Sequence, residues 1–330
     1  MDLPLLSASF LAFALTMYAI LDGFDLGVGI LLLFQPVAAS RDHMVDCITP
    51  TWDGNETWII MAGVTLLAAF PTAYSILLPA FYLPVILMLL ALGFRGVSFE
   101  FRVQTTRLRR RWDIAFGIGS LVAALMQGLI LGGVVQGVTV QNGRFAGSVL
   151  DIVRPLPIIS GVTLGIGYAV LGAGWLNLKA NSPVQHFAKR CVRICSPAFT
   201  VLFGIACLYA ARIQPFIRAK WGSHEIALTC LIAAFAAVAG TLTVLTEKLR
   251  ASVLFFLGLS VFAVGISGIA LIIFPDIVPC SVSLWDAASS STSQCFVLIG
   301  AAFVTPVVLG YSAFAYWIFR GKTPEEGWGE

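Results

Sequence analysis

Residues 3–34, LPLLSASFLAFALTMYAILDGFDLGVGILLLF, decide the class of fold. The run exceeds the ~20 apolar residues that cross a bilayer as a helix. It has neither the basic start nor the small-residue cleavage site of a secretory signal, so it reads as a retained span. Eight further apolar stretches follow, at roughly 52–70, 76–94, 113–136, 156–178, 191–211, 225–246, 252–274 and 296–319. Composition agrees with this reading, because 58% of the 330 residues are hydrophobic and 11% charged, where soluble domains carry about a quarter charged. Mean hydropathy is +0.92. No strand signature appears, and in lipid a helix satisfies its own backbone hydrogen bonds. The expectation is an all-α polytopic membrane protein, a single domain over 1–330 with about nine transmembrane helices in a bundle. Water-soluble classes are excluded, and the net charge of +3, dispersed in short clusters, offers no surface for nucleic acid.

Basic residues orient the bundle, since cytoplasmic connections retain Lys and Arg. Of the 20 Lys and Arg, only Arg144, Arg154, Arg212, Arg218 and Lys220 fall on one side. The others, including Arg41, Arg95, Arg102 and the run RLRRR at 107–111, fall in the alternate connections and the C-terminal tail. The N-terminus is therefore expected outside and the C-terminus in the cytoplasm, with RLRRR as a basic stop that can also meet acidic lipid head groups. Glycines at four-residue spacing, Gly23 with Gly27, Gly128 with Gly132 and Gly161 with Gly165, predict close helix crossings. Tryptophans such as Trp112, Trp175, Trp317 and Trp328 fall toward span ends, as interfacial anchors do.

Charge inside a span is costly, which makes an intramembrane carboxylate a functional candidate. Asp22 and Asp25 lie well inside the first span, three residues apart and so on one helix face. Asp53 and Glu56 repeat that spacing at the start of the second, in TWDGNETW. On the expected topology all four sit toward the cytoplasmic half of adjacent antiparallel helices, where they can form a proton uptake route. A simpler reading makes Asp53 and Glu56 a capping pair and Asp22 and Asp25 a buried polar tie. The acceptor-like triplet Asn55-Glu56-Thr57 is discounted for glycosylation because it falls inside.

The three histidines, His43, His186 and His224, all fall in connections or at helix ends. A membrane haem usually takes a His or Met from a span interior, so this chain is expected to ligate no haem. No metal set is seen either: Cys191 and Cys195 stand four apart without a C-x-x-C pair and read as packing. Cys280 and Cys295 border the last outside connection and can close it as a disulfide in an oxidising compartment.

The segments DGFDLGVG at 22–29 and WDGNETW at 52–58 resemble the signature of subunit II of cytochrome bd-type quinol oxidases. FRGVSFEFR at 94–102, Gln127-Gly128, FPDIVP with SLWDA within 274–287 and YWIFRGK at 316–322 extend the likeness over essentially the whole chain. The short chain and compact outside connections are similar to the cyanide-insensitive branch. The resemblance implies a respiratory oxidase in a bacterial inner membrane, in which this subunit pairs with a haem-bearing subunit I. Subunit I would hold two b-type haems and a d-type haem, or a b-type haem in its place, and would oxidise ubiquinol or menaquinol. A bound quinone and a small single-span third subunit also fit that family. The resemblance further implies proton delivery by Asp25 and Asp53, with Asp22 and Glu56 beside them, and a subunit contact at Trp52 and Trp58.

Two rival readings remain at this stage. A secondary transporter would use the acid pairs to couple cations, but no inverted repeat accompanies them. A purely structural subunit would not need the buried acids.

Overall fold

The first apolar run closes into a single helix, α1 (Leu3–Leu32), started by Asp2, whose carboxylate accepts from the Leu5 amide at 3.1 Å, with a proline in the first turn. A computed structural model describes residues 2–105 and 107–324; Trp328 lies outside them. A short helix, α2 (Ala38–Asp46), leads to α3 (Trp52–Ala69), which returns antiparallel to α1: Asn55 meets Asp25 and Trp58 meets Phe13. The expected third span is two helices, α4 (Pro71–Ala80) and α5 (Tyr82–Gln104). The remaining spans are α6 (Arg109–Gln136), α7 (Pro155–Lys179), α8 (Ser182–Ile213), α10 (Glu225–Val244), α11 (Ala251–Ile273) and α12 (Ser291–Ile318), with a short α9 (Pro215–Ser223) between two of them. Eight of these helices are long and apolar enough to cross a membrane; α3, which carries Asp53 and Glu56, is not among the eight. Each of the nine expected apolar stretches is thus helical.

Two small hairpins interrupt the helices. The first pairs β1 (Val140–Gln141) with β2 (Arg144–Phe145). Its turn is Asn142-Gly143, both at positive φ, as a tight two-residue hairpin requires. The second pairs β3 (Asp276–Val278) with β4 (Val282–Ser283). Cys280 and Cys295 beside it are free, exposed thiols. That segment is held instead by the Ser289 amide and the Gln294 side chain, both donating to the Ala69 carbonyl.

The connections gather at two ends, in the alternation read from the sequence. At the basic end the Trp175 indole donates to the Cys47 carbonyl at 2.9 Å, and the Thr323 amide donates to the Lys179 carbonyl at 2.8 Å. At the far end Trp285 donates to the Asp2 carboxylate. Two expectations are corrected here. Trp175 is no interfacial anchor: it is buried and stacked on Phe24, with ring centroids 4.5 Å apart. Arg95 and Arg102 do not lie in a connection, because α5 continues well past residue 94. Arg95, Ser98, Phe99 and Arg102 are all buried, at the i, i+3, i+4, i+7 spacing of one helix face.

Asp113, buried at the start of α6, accepts from Arg41 and Arg102 at 2.7 Å each; Arg102 also pairs with Asp42. This cluster fastens α2, α5 and α6 at the basic end.

The crossing of α1 and α7 is set by glycine. A Cβ on Gly27 would stand 1.8 Å from the Tyr168 carbonyl oxygen, and one on Gly172 would stand 2.4 Å from the Gly27 carbonyl carbon. Backbone therefore meets backbone, the close approach that small residues permit. Gly27→Ala should destabilise the protein by at least about 1–3 kcal/mol, the usual cost of overpacking, and lower its thermal midpoint. Gly240→Ala, where nothing lies within 4 Å, should not; equal midpoints for the two variants would contradict the crossing described.

Candidate functional site

Asp22 and Asp25 enter the middle of the bundle on α1 and are both completely buried. Without water, such a group is tolerable only with a partner for its charge or its lone pairs. Asp22 Oδ1 lies 2.8 Å from Nη1 of Arg95, itself fully enclosed. The Arg95 guanidinium also lies over the rings of Trp52 and Phe116, 5.8 Å from each centroid, and Glu56 Oε2 approaches the same Nη1 at 4.0 Å. Aromatic faces and a second carboxylate thus share a cation that cannot lose its charge.

Asp25 has a different partner. Its Oδ2 accepts from the Asn55 amide at 2.7 Å, and Asn55 Oδ1 accepts from the Tyr316 hydroxyl at 2.9 Å. Asp22 Oδ2 and Asp25 Oδ1 have no hydrogen-bond partner. One helical turn from Asp22, Tyr18 turns its hydroxyl toward that carboxylate. The same hydroxyl accepts from Gln127 at 2.7 Å, and Gln127 in turn accepts from Tyr168 at 2.8 Å. A line of polar groups therefore runs from Tyr316 through both acids to Tyr168, inside helices that are otherwise apolar.

Asp53 stands apart from this cluster. It is exposed in the first turn of α3, and Glu56, one turn on, is partly buried. The capping alternative is not what forms: Thr51 is the N-cap and no side chain bonds the helix start. Glu56 is instead drawn toward Arg95. Trp52 packs on Phe99 with centroids 5.0 Å apart and keeps part of its surface. Trp58 has none to offer a partner, being enclosed by Phe13, Ala14, Tyr18 and Ala62.

A cleft opens at the basic end beneath Tyr316, lined by Cys47, Thr51, Trp175, Lys179, Phe319 and Thr323 among others. Burial pushes the Cys47 thiol up to about 12, so it is a wall of the cleft and not a nucleophile. The histidines do not fit a membrane haem. His43 Nε2 already accepts from the Asn181 amide at 3.1 Å, His186 is exposed and bonded to Ser182, and His224 is the exposed N-cap of α10.

Among the groups that sequence reasoning passed over, Arg95 carried a local signal. It begins a buried stripe that continues the apolar face of α5. Asn55, Tyr18 and Tyr316 are uncharged and carried none.

Over residues 3–319 the chain matches the family described as Cytochrome bd terminal oxidase subunit II. The cytochrome bd-I ubiquinol oxidase subunit 2 of Escherichia coli (strain K12) is 28% identical over 349 residues, covering 94% of this chain and 92% of that protein. The cytochrome bd ubiquinol oxidase subunit 2 of Bacillus subtilis (strain 168) is 28% identical over 313 residues, with 92% and 91% covered. A chain from the solved structure of bd oxidase from Geobacillus thermodenitrificans superposes with a TM-score of 0.82 over 97% of this chain and 99% of that one. At 16% identity that likeness is one of fold.

Removing the cation should be more damaging than removing the pair. Arg95→Met leaves Asp22 buried and uncompensated and should cost about 3–5 kcal/mol, read as a fall in thermal midpoint and in yield. Arg95→Met with Asp22→Leu should recover most of it. A double variant no more stable than the single one would show that the pair does not hold these helices.

Proposed function

Because this chain belongs to the family of cytochrome bd terminal oxidase subunit II, an oxidoreductase component of the bacterial inner membrane, we propose that it is the haem-free partner of a haem-bearing subunit I and carries protons toward it. The haems of that partner would supply the oxidation of quinol, ubiquinol or menaquinol, and the reduction of oxygen to water. Reducing oxygen to water consumes protons, and this chain's residues are suited to deliver them from the basic, cytoplasmic end.

What supports the reading is the inward gradation of the four acids. Asp53 is exposed, Glu56 partly buried, and Asp25 and Asp22 fully buried. Asp53 collects a proton at the surface and Glu56 carries it past the rim. Arg95 keeps the channel from filling with uncompensated negative charge. Asp25, which has an amide for a partner and no dedicated cation, is the group that takes up and releases the proton. Asp22 stays with Arg95 and Tyr18 as the fixed charge beside it. Trp52 gives its open surface to subunit I.

Two measurements test this reading. Purified in mild detergent through a tag on this chain, the protein should bring a second large membrane subunit and show haem bands in its reduced-minus-oxidised spectrum. Those bands should vanish when that subunit is removed. A colourless chain that purifies alone would discard the pairing. In the assembled complex, Asp25→Asn and Asp53→Asn should preserve the haem spectrum while slowing oxygen consumption by about a hundredfold or more, the low end of what a positioned proton-transfer group contributes. Undiminished turnover with both changes present would end the proton-path assignment.

A further inference from the structure

We infer that Asn55 and Tyr316 are positioning residues for Asp25: together they hold one of its oxygens and leave the other open to the proton. The inference rests on the proton path proposed above and goes beyond it, since neither residue belongs to that path.

The argument starts from the amide. Asn55 is buried, with Nδ2 2.7 Å from Asp25 Oδ2 and Oδ1 2.9 Å from the Tyr316 hydroxyl. An ionised carboxylate only accepts, so the NH2 group must face Asp25 and the carbonyl must face Tyr316. Tyr316 is then obliged to donate, and one hydroxyl fixes the orientation of the whole amide. An amide neither gains nor loses a proton in the physiological range, so Asn55 acts only through Asp25. Asp25 Oδ1, without a hydrogen-bond partner, is the oxygen this arrangement leaves available.

The hydroxyl is not needed to seat α12. Past the tyrosine, the chain is fastened by Lys179 Nζ donating to the Phe319 carbonyl and by the Thr323 amide donating to the Lys179 carbonyl. The ring itself rests edge-on against Trp175, with centroids 5.9 Å apart. It lines the cleft on one flank and turns its hydroxyl inward on the other. Loss of the hydroxyl therefore frees Asn55 without unseating the helix. The charged and titratable groups that face Asp25 are Asp22 on its own helix, Glu56 on α3, Arg95 on α5 and Tyr316 on α12.

The test uses the assembled complex with three variants, Tyr316→Phe, Asn55→Ala and Asp25→Asn. Tyr316→Phe should keep the thermal midpoint, the haem spectrum and the KM for quinol. Its kcat should fall by about tenfold or more, toward the roughly hundredfold cost of a reacting group misplaced by about 1 Å, and its pH profile should shift. The carboxyl stretching band of Asp25 in infrared difference spectra, assigned by its loss in Asp25→Asn, should move in both Tyr316→Phe and Asn55→Ala. A Tyr316→Phe enzyme with an unmoved Asp25 band and an unchanged pH profile overturns the inference, even if less of it assembles. If Asp25→Asn is slow in that same experiment, the proton path stands without its positioning pair. If Asp25→Asn turns over normally, the path falls and the inference falls with it. Should Asn55→Ala not assemble, Tyr316→Phe decides alone.

Discussion

Charge has nowhere to go in a bilayer, and the ion pair between Asp22 and Arg95 is the response around which this bundle is arranged. Moving an isolated ion out of water costs several kcal/mol even after relaxation, and a buried pair seldom returns more than it costs. The pair is therefore no source of stability over a pair of leucines. What it imposes is register. Asp22 lies on α1 and Arg95 on α5, and α3 brings Glu56 and Trp52 to the same guanidinium. A slip of either helix by one residue would leave a bare charge in the core, so three helices share one permitted arrangement. Asp113 repeats the device at the basic end, where Arg41 and Arg102 bind α2 and α5 to α6.

Small residues do the complementary work. Gly27 and Gly172 let α1 and α7 touch backbone to backbone. That contact brings Tyr168 over Gly23 and Trp175 onto Phe24, the two residues between the acids. The side chains that cover the carboxylates from behind are thus positioned by residues with no side chain of their own. With α3 and α5 on the opposite flank, the two aspartates are enclosed on every side.

How much of this was legible follows from the same physics. The spans were, because each must be apolar over its length, and so was the alternation of the ends, because basic residues mark one of them. Asp22 and Asp25 were legible because a carboxylate in an apolar run is conspicuous. Arg95 was not: a hydropathy window stops at the first strong charge, so the third span ended at residue 94 and its most consequential residue fell outside. The stripe Arg95, Ser98, Phe99, Arg102 was present in the sequence, but its meaning depends on Asp22 and Asp113 standing opposite. Trp175 misled for the reverse reason, since a tryptophan near a span end looks alike whether it faces lipid or core. Tyr316 lies 261 residues from Asn55, and no local pattern could join them.

The unequal treatment of the two aspartates bears most directly on function. They sit one helical turn apart on the same helix, equally buried, yet one faces a guanidinium and the other an amide. Had both been given a cation, each would be locked as an anion and neither could exchange a proton. Had both been given amides, nothing would anchor the electrostatics of the site, and each would have to be neutralised separately. One fixed anion beside one carboxylate without its own counter-charge is the arrangement in which a mobile charge has a defined place to stop. On the proton-path reading that mobile charge is the proton. The neighbouring pair sets how tightly it is held, because Asp22 attracts it and Arg95 repels it. The strength of that hold depends on where the Asp25 oxygens lie relative to Arg95, a matter of tenths of an ångström in a medium that screens little. A carrier in such a position cannot be left to choose its own rotamer, which is why an uncharged amide and a tyrosine from the last helix belong to the site as much as the acids do.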